Sequence, residues 1–194
     1  MVYKPLPIGV ENFEDFYRDD YYYVDKTLFI KELIDKKAKV NLFTRPRRFG
    51  KTLTLSMLKY YFEAAYDFRG NKKDYSHLFE GLAISSAGDK YSRHQGKYPV
   101  ISLSLKSGKQ DEYDNCLSQL KYVIADEFRR HRYILNDDTL SDDEKETFKS
   151  YLNRKFPDSE YEQSLQFLSS CLELWYGEKV IILIDEYDVP LDGA

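Results

Sequence analysis

A polyphosphate carries several negative charges, and a loop of backbone N–H groups leading into a helix N-terminus holds it well, with one lysine reaching the outer phosphates. Gly50-Lys51-Thr52 has the residue types for that task, the threonine hydroxyl being suited to Mg²⁺. The full pattern is G-x-x-x-x-G-K-[ST]. Here the run is Arg45-Pro46-Arg47-Arg48-Phe49-Gly50-Lys51-Thr52, with arginine where the first glycine is expected. That glycine permits a tight turn, whereas Arg45 before Pro46 is pushed toward extended backbone. Taken alone, the triplet also fits a lysine and a threonine at an ordinary helix start.

A second element, acidic this time, stands at Asp185-Glu186, directly after the apolar run Val180-Ile181-Ile182-Leu183-Ile184. An acid at the end of such a strand helps hold Mg²⁺, usually through water, while the threonine after the lysine adds its hydroxyl. Thr52 and Asp185 are therefore the expected metal pair, and Lys51 and Glu186 the expected catalytic pair, Glu186 polarising an attacking water. As an isolated pair, Asp185 and Glu186 also fit two solvated acids closing a buried strand. Asp188 either backs the metal-binding acid or is merely exposed. The cradle for the nucleotide is expected to run through Pro46, Arg47, Arg48, Phe49, Gly50, Lys51, Thr52 and Leu53.

Arg45, Arg47, Arg48 and Lys51 concentrate positive charge that suits phosphate and could also meet a nucleic-acid backbone. ATP with Mg²⁺ is the stronger reading, because the lysine and the threonine have specific stations. His77, His94 and His131 lie far apart and form no cluster, so each reads as an ordinary surface or partly buried residue. Cys116 and Cys171 have no second thiol or histidine at ligand spacing, which indicates neither zinc nor a disulfide framework.

The elements that must position these groups follow from periodicity. Lys39 to Thr44 alternates and predicts a strand running into the basic loop. Leu55, Leu58 and Phe62 then recur at helical intervals after Gly50. Strand, loop and helix in that order are the context the triplet needs. A helix is also predicted over Asp25–Asp35 with Asp25 as cap, irregular structure with short helices between Ala64 and Gly96, and a second strand over Tyr98–Leu105. Tyr113–Tyr133 should be a long helix with Leu117, Leu120, Ile124 and Phe128 on one face and a solvated basic end. Ser141 and Glu144 form a capping-box pattern opening a helix that ends before Pro157. Ser159–Tyr176 is a further helix closed at Gly177. The unbroken apolar strand after it is the kind expected when helices cover both faces of a sheet. Strands separated by helices predict a layered α/β domain with a mainly parallel sheet.

With 42% hydrophobic residues the 194-residue chain is rich enough for a substantial core. Its 29 basic against 33 acidic residues argue against a surface built throughout for nucleic acid. Met1 to Gly9 lacks the apolar run of a signal peptide, and no stretch is apolar enough to span a bilayer, so a soluble cytoplasmic protein with no membrane partner is expected. The sequence stops shortly after an apolar strand, which suggests C-terminal truncation.

Three runs taken together, Tyr22-Tyr23-Val24-Asp25-Lys26-Thr27, Phe43 to Thr52, and Ile184-Asp185-Glu186-Tyr187-Asp188-Val189-Pro190-Leu191, resemble the bacterial AAA-ATPase-like family. The arginine-rich loop looks like that family's own form of the P-loop. The resemblance covers nearly the whole chain and implies a three-layer P-loop NTPase fold, AAA+/STAND-like, with Walker A at Gly50-Lys51-Thr52 and Walker B ending in Asp185-Glu186. It divides the chain into a lead-in segment, 1–38, and an incomplete ATPase-like domain, 39–194. It also places Tyr23 and Asp25 near the base or ribose. Family members commonly carry a C-terminal PD-(D/E)XK nuclease-like domain. The implied function is thus an ATP- and Mg²⁺-binding ATPase module coupled to an effector domain absent from this chain, with a homo-oligomer allowed. A nucleotide-dependent switch with negligible hydrolysis, a P-loop phosphotransferase and direct nucleic-acid binding through the basic loop stay open as alternatives.

Overall fold

The computed structural model describes residues 3–44, 49–106 and 113–188. The chain folds as two compact units, Met1–Ala64 with Asp74–Lys97, and Ala65–Lys73 with Tyr98–Ala194.

The first unit is helical. Helix α1 (Phe13–Arg18) is capped by the Asn12 side chain, α2 (Leu28–Lys36) is closed by Lys37 in the left-handed region, and α3 (Lys51–Phe62) begins behind Gly50. Two 3-10 turns, Ser76–Phe79 and Ala83–Ser86, and the short α4 (Asp89–Ser92) complete it. The core is largely aromatic: Phe13 stacks on Phe79 at 5.2 Å, and Tyr61 meets Phe79 edge-on at 5.0 Å. Ile30, Met57, Leu58 and Ile84 are buried with them.

The strand predicted over Lys39–Thr44 is not formed. The segment has no sheet assignment, and its Val40 and Leu42 are 85% and 65% exposed. Alternation alone makes a candidate strand, but a strand is stable only beside a neighbour that takes its N–H and C=O groups. No strand is assigned among the described residues of this unit.

The second unit is α/β. Strands β1 (Val100–Ser104) and β2 (Ile181–Asp185) pair in parallel, Val100 opposite Ile181 and Ser104 opposite Asp185. Between them run α5 (Tyr113–Arg130), α6 (Asp142–Leu152) and α7 (Ser164–Tyr176). The Ser141–Glu144 capping box opens α6 as the sequence predicts, and Gly177 at φ 66° closes α7. Ile101, Leu103, Phe128, Phe148, Leu168 and Leu172 form the centre of the core. Phe128 packs against Phe148 at 4.8 Å and Tyr151 at 4.9 Å.

Two expectations need correction here. Full cover of β2 on both faces is not observed, since Ile182 and Ile184 stay 46% and 39% exposed. Their register partners Ile101 and Leu103 are buried in the core cluster with Phe128 of α5. The basic end of α5 is not simply solvated either, because Glu127 and His131 are buried there. Among the described residues no helix is long and apolar enough to cross a membrane.

Candidate functional site

Gly50 precedes α3 at φ 71° and ψ 31°, a left-handed conformation that costs glycine little and other residues more. Lys51 and Thr52 are therefore the first two helical residues, half-buried, with Leu53 beside them. The N-cap residue Gly50 has no side chain to cap α3, and no acid lies in the helix's first turn. The contrast with α6 is instructive, since α6 has a capping serine and three acids in its first turn. With no acid in its first turn, the positive end of the α3 helix dipole favours an anion. Phe49 is 61% exposed. Pro46, Arg47 and Arg48, expected in the cradle, lie outside the described residues, as does Arg45.

The far turns of α3 hold it in the first unit. Ser56 Oγ accepts from Phe13 N at 2.9 Å, Tyr60 donates to Glu14 Oε2 at 3.0 Å, and the Tyr23 hydroxyl meets Met57 Sδ at 3.5 Å. Burial pushes the Tyr23 phenol up to about 12. Asp25 accepts from Thr27 N at 2.8 Å and Thr27 Oγ1 at 2.6 Å through one oxygen, and from Ala83 N at 2.7 Å through the other. Partial burial works against its charge, yet those hydrogen bonds hold its carboxyl below the ordinary value. Tyr23 and Asp25 thus tie α2 and the 83–86 turn to the body of the unit.

Asp185 ends β2 at 8% exposure, and its carbonyl accepts from Leu105 N at 3.0 Å. Asp185 Oδ1 accepts from Glu186 N at 3.1 Å. Glu186 has φ 54°. Among the described residues three other non-glycine residues share that left-handed conformation, Asp20, Lys37 and Arg154, and each follows the end of a helix. Glu186 alone among them follows a strand. Asp188 is exposed. Lys51 and Thr52 belong to the first unit, and Asp185 and Glu186 to the second.

Sequence reasoning missed a buried polar group in the second unit. Glu127 Oε1 accepts from Ser102 N at 2.8 Å, and Arg130 pairs with the same carboxylate at 2.5 Å. His131, 1% exposed, lies 3.3 Å from Glu127 Oε1 and 3.2 Å from Val100 O, with Tyr133 OH at 3.0 Å on its other ring nitrogen. Burial would raise the Glu127 carboxyl, but His131 and Arg130 outweigh it and hold it down to about 2. These groups bond the edge of β1 away from β2. The signal was the spacing: Glu127, Arg130 and His131 fall at i, i+3 and i+4 and so share one helix face.

Among the described residues no three His, Cys, Asp or Glu side chains gather as a metal cage. Mg²⁺ does not need one, because it keeps several waters and takes one or two carboxylates with phosphate oxygens. The hard oxygens of Thr52 and Asp185 are of the class that ion accepts.

Residues 7–193 match the AAA-ATPase-like family, described as "Predicted AAA-ATPase". The chain belongs to that family. As an AAA-ATPase-like protein it is also similar, at 32% identity over 190 residues, to the "Uncharacterized protein in vnfD 5'region" of Azotobacter chroococcum mcd 1. That alignment covers 97% of this chain and 30% of the relative, so the AAA-ATPase-like chain spans under a third of the relative's length. No solved structure matches it.

Proposed function

We propose that the chain is an ATP- and Mg²⁺-binding ATPase module of the P-loop type, with a three-layer AAA+/STAND-like nucleotide fold. The observation that carries this reading is Lys51 and Thr52 as the opening residues of a helix with no acid in its first turn, behind a left-handed glycine. In this reading the N–H groups at the start of α3 and the Lys51 ammonium bind the phosphates, and Thr52 and Asp185 hold Mg²⁺. Bound Mg²⁺ would neutralise charge on the phosphate oxygens. Glu186, beside Asp185 on the strained turn after β2, orients a water for attack and accepts its proton. The remaining cradle residues, Pro46, Arg47, Arg48, Phe49, Gly50 and Leu53, line the phosphates. Because the family relative is much longer than this chain, the module is proposed to couple nucleotide binding or hydrolysis to an effector domain elsewhere in a longer protein.

The test is Mg²⁺-dependent ATP binding by calorimetry, with wild type beside Lys51→Ala and circular dichroism confirming that both are folded. Binding by wild type and a loss of at least about tenfold in Lys51→Ala are expected, since one charge-assisted hydrogen bond to phosphate contributes about 1.5–3 kcal/mol. A folded wild type that binds no ATP, or a Lys51→Ala variant that binds equally well, rejects the assignment. Hydrolysis is checked separately: Glu186→Gln should retain ATP but lower phosphate release about 100-fold or more. Normal turnover in that variant would remove Glu186 from the scheme.

A further inference from the structure

The pairing of β1 with β2 brings one more polar side chain to the acidic half of the site. Ser104 and Asp185 are register partners and the last residues of their strands. Partnered residues of neighbouring parallel strands put their side chains on the same face, with backbones about 4.8 Å apart. In open α/β sheets, ligands bind beyond the carboxyl ends of the strands. We propose that Ser104 is a positioning residue for Asp185 in the Mg²⁺ half of the site. This inference rests on the nucleotide reading given above.

The register is fixed from several sides. Ile181 N donates to Pro99 O at 3.0 Å at one end of the pair, and Leu105 N donates to Asp185 O at 3.0 Å at the other. On the opposite edge of β1, Glu127 Oε1 takes Ser102 N at 2.8 Å, two residues from Ser104. A slip of one residue between the strands would put Ser104 and Asp185 on opposite faces and is opposed by the two inter-strand hydrogen bonds, while Glu127 anchors β1 itself. Along β1 the face shared with Asp185 runs from buried Val100 through half-buried Ser102 to exposed Ser104. Asp185 beside it is 8% exposed. The hydroxyl is therefore the solvent-facing neighbour of a nearly buried carboxylate.

A serine hydroxyl donates one hydrogen bond and accepts others. At this position it can donate to the carboxylate, or accept from a water of the ion's retained shell and so help fix where that water stands. Alanine can do neither, whereas threonine keeps the hydroxyl and suits a strand. Groups that orient a metal-binding side chain typically change metal affinity by about 10- to 100-fold when removed.

The experiment uses the full chain as wild type, Ser104→Ala and Ser104→Thr, and measures ATP binding by calorimetry across a Mg²⁺ titration and in EDTA. Melting without nucleotide reports folding separately. Ser104→Ala is expected to need about tenfold more Mg²⁺ for half-maximal enhancement of ATP binding, with binding in EDTA and melting unchanged. Ser104→Thr should stay within about twofold of wild type. A wild-type Mg²⁺ dependence in Ser104→Ala overturns the proposal. So does a loss equal in EDTA and Mg²⁺, or an equal defect in the threonine variant, because each assigns Ser104 to the fold alone. A folded wild type that binds no ATP at any Mg²⁺ concentration overturns the nucleotide reading and Ser104 with it, and is told apart because wild type itself is then silent.

Discussion

The two units place their candidate site residues by different means. In the first, the conformation around Lys51 and Thr52 is local: one left-handed glycine, a helix start without acids, and Thr54, whose N–H and hydroxyl both bond Gly50 O at 2.9 and 2.8 Å. In the second, Asp185 depends on partners distant in sequence, β1 beside it and a buried carboxylate on the far edge of β1. A local arrangement tolerates damage elsewhere, because its hydrogen bonds close short loops. A non-local one fails as a unit once the groups holding the strand are lost.

Glu127→Ala should separate them most sharply. It leaves Arg130 without its buried carboxylate and Ser102 N without its acceptor, and breaking such a buried pair costs about 3–5 kcal/mol. Trp175 is the single tryptophan and sits in the second unit among Tyr66, Tyr133 and Tyr176, so its fluorescence reports that unit. In urea, the Trp175 transition should move to a much lower denaturant concentration. An unchanged midpoint would show that the Glu127 group does not hold β1.

The same carboxylate gives a pH dependence of defined sign. Its folded value, about 2, lies below the ordinary 4.5, so the unfolded chain binds the proton first. The stabilisation is fully present above pH ~4.5 and is lost as pH falls from there through about 2; the gap corresponds to about 3 kcal/mol. Because other carboxylates also protonate in that range, the measurement is the difference between wild type and Glu127→Gln. Their stabilities by Trp175 fluorescence should converge as the pH drops from 5 to 2. Parallel curves would mean that Glu127 is not held down by His131 and Arg130.

How much of this can be read from sequence follows the same division. Helix α3, the α6 capping box, the Gly177 closure and both strands of the sheet are legible, because each is written in adjacent residues or simple periodicity. Helix α1 is not: six residues are too few for periodicity to show, and Phe13 and Phe16 are buried through contacts with residues such as Tyr23 and Phe79. The strand predicted at Lys39–Thr44 has the right alternation, but alternation carries no information about a neighbour. Charge usually marks solvent, so sequence alone puts the Glu127–His131 turn at the surface. Inside, opposite charges at helical spacing satisfy one another and the edge of β1. Of the candidate site, the sequence identifies the residue types and their order, and the structure adds the left-handed turns at Gly50 and Glu186 and the register that puts Ser104 beside Asp185.

The smallest effect tests the local half. A Cβ built on Gly50 meets nothing within 4 Å, so Gly50→Ala creates no clash and its cost comes from φ 71° alone. That cost is about 1–2 kcal/mol for an ordinary L-residue, and Gly50→Asn should recover part of it because asparagine enters the left-handed region more readily. The expected result is a small drop in the melting temperature of the α-helical signal with the Trp175 transition in urea nearly unmoved. The alanine variant should also bind MgATP more weakly than the asparagine variant, since the strained residue tends to pull the first turn of α3 away from its helical start. If the Trp175 transition shifts as far as the helical signal, the start of α3 is coupled to the second unit and the distinction between a local and a non-local half fails. If neither moves and alanine binds MgATP as glycine does, the left-handed conformation at residue 50 is not what sets the phosphate site.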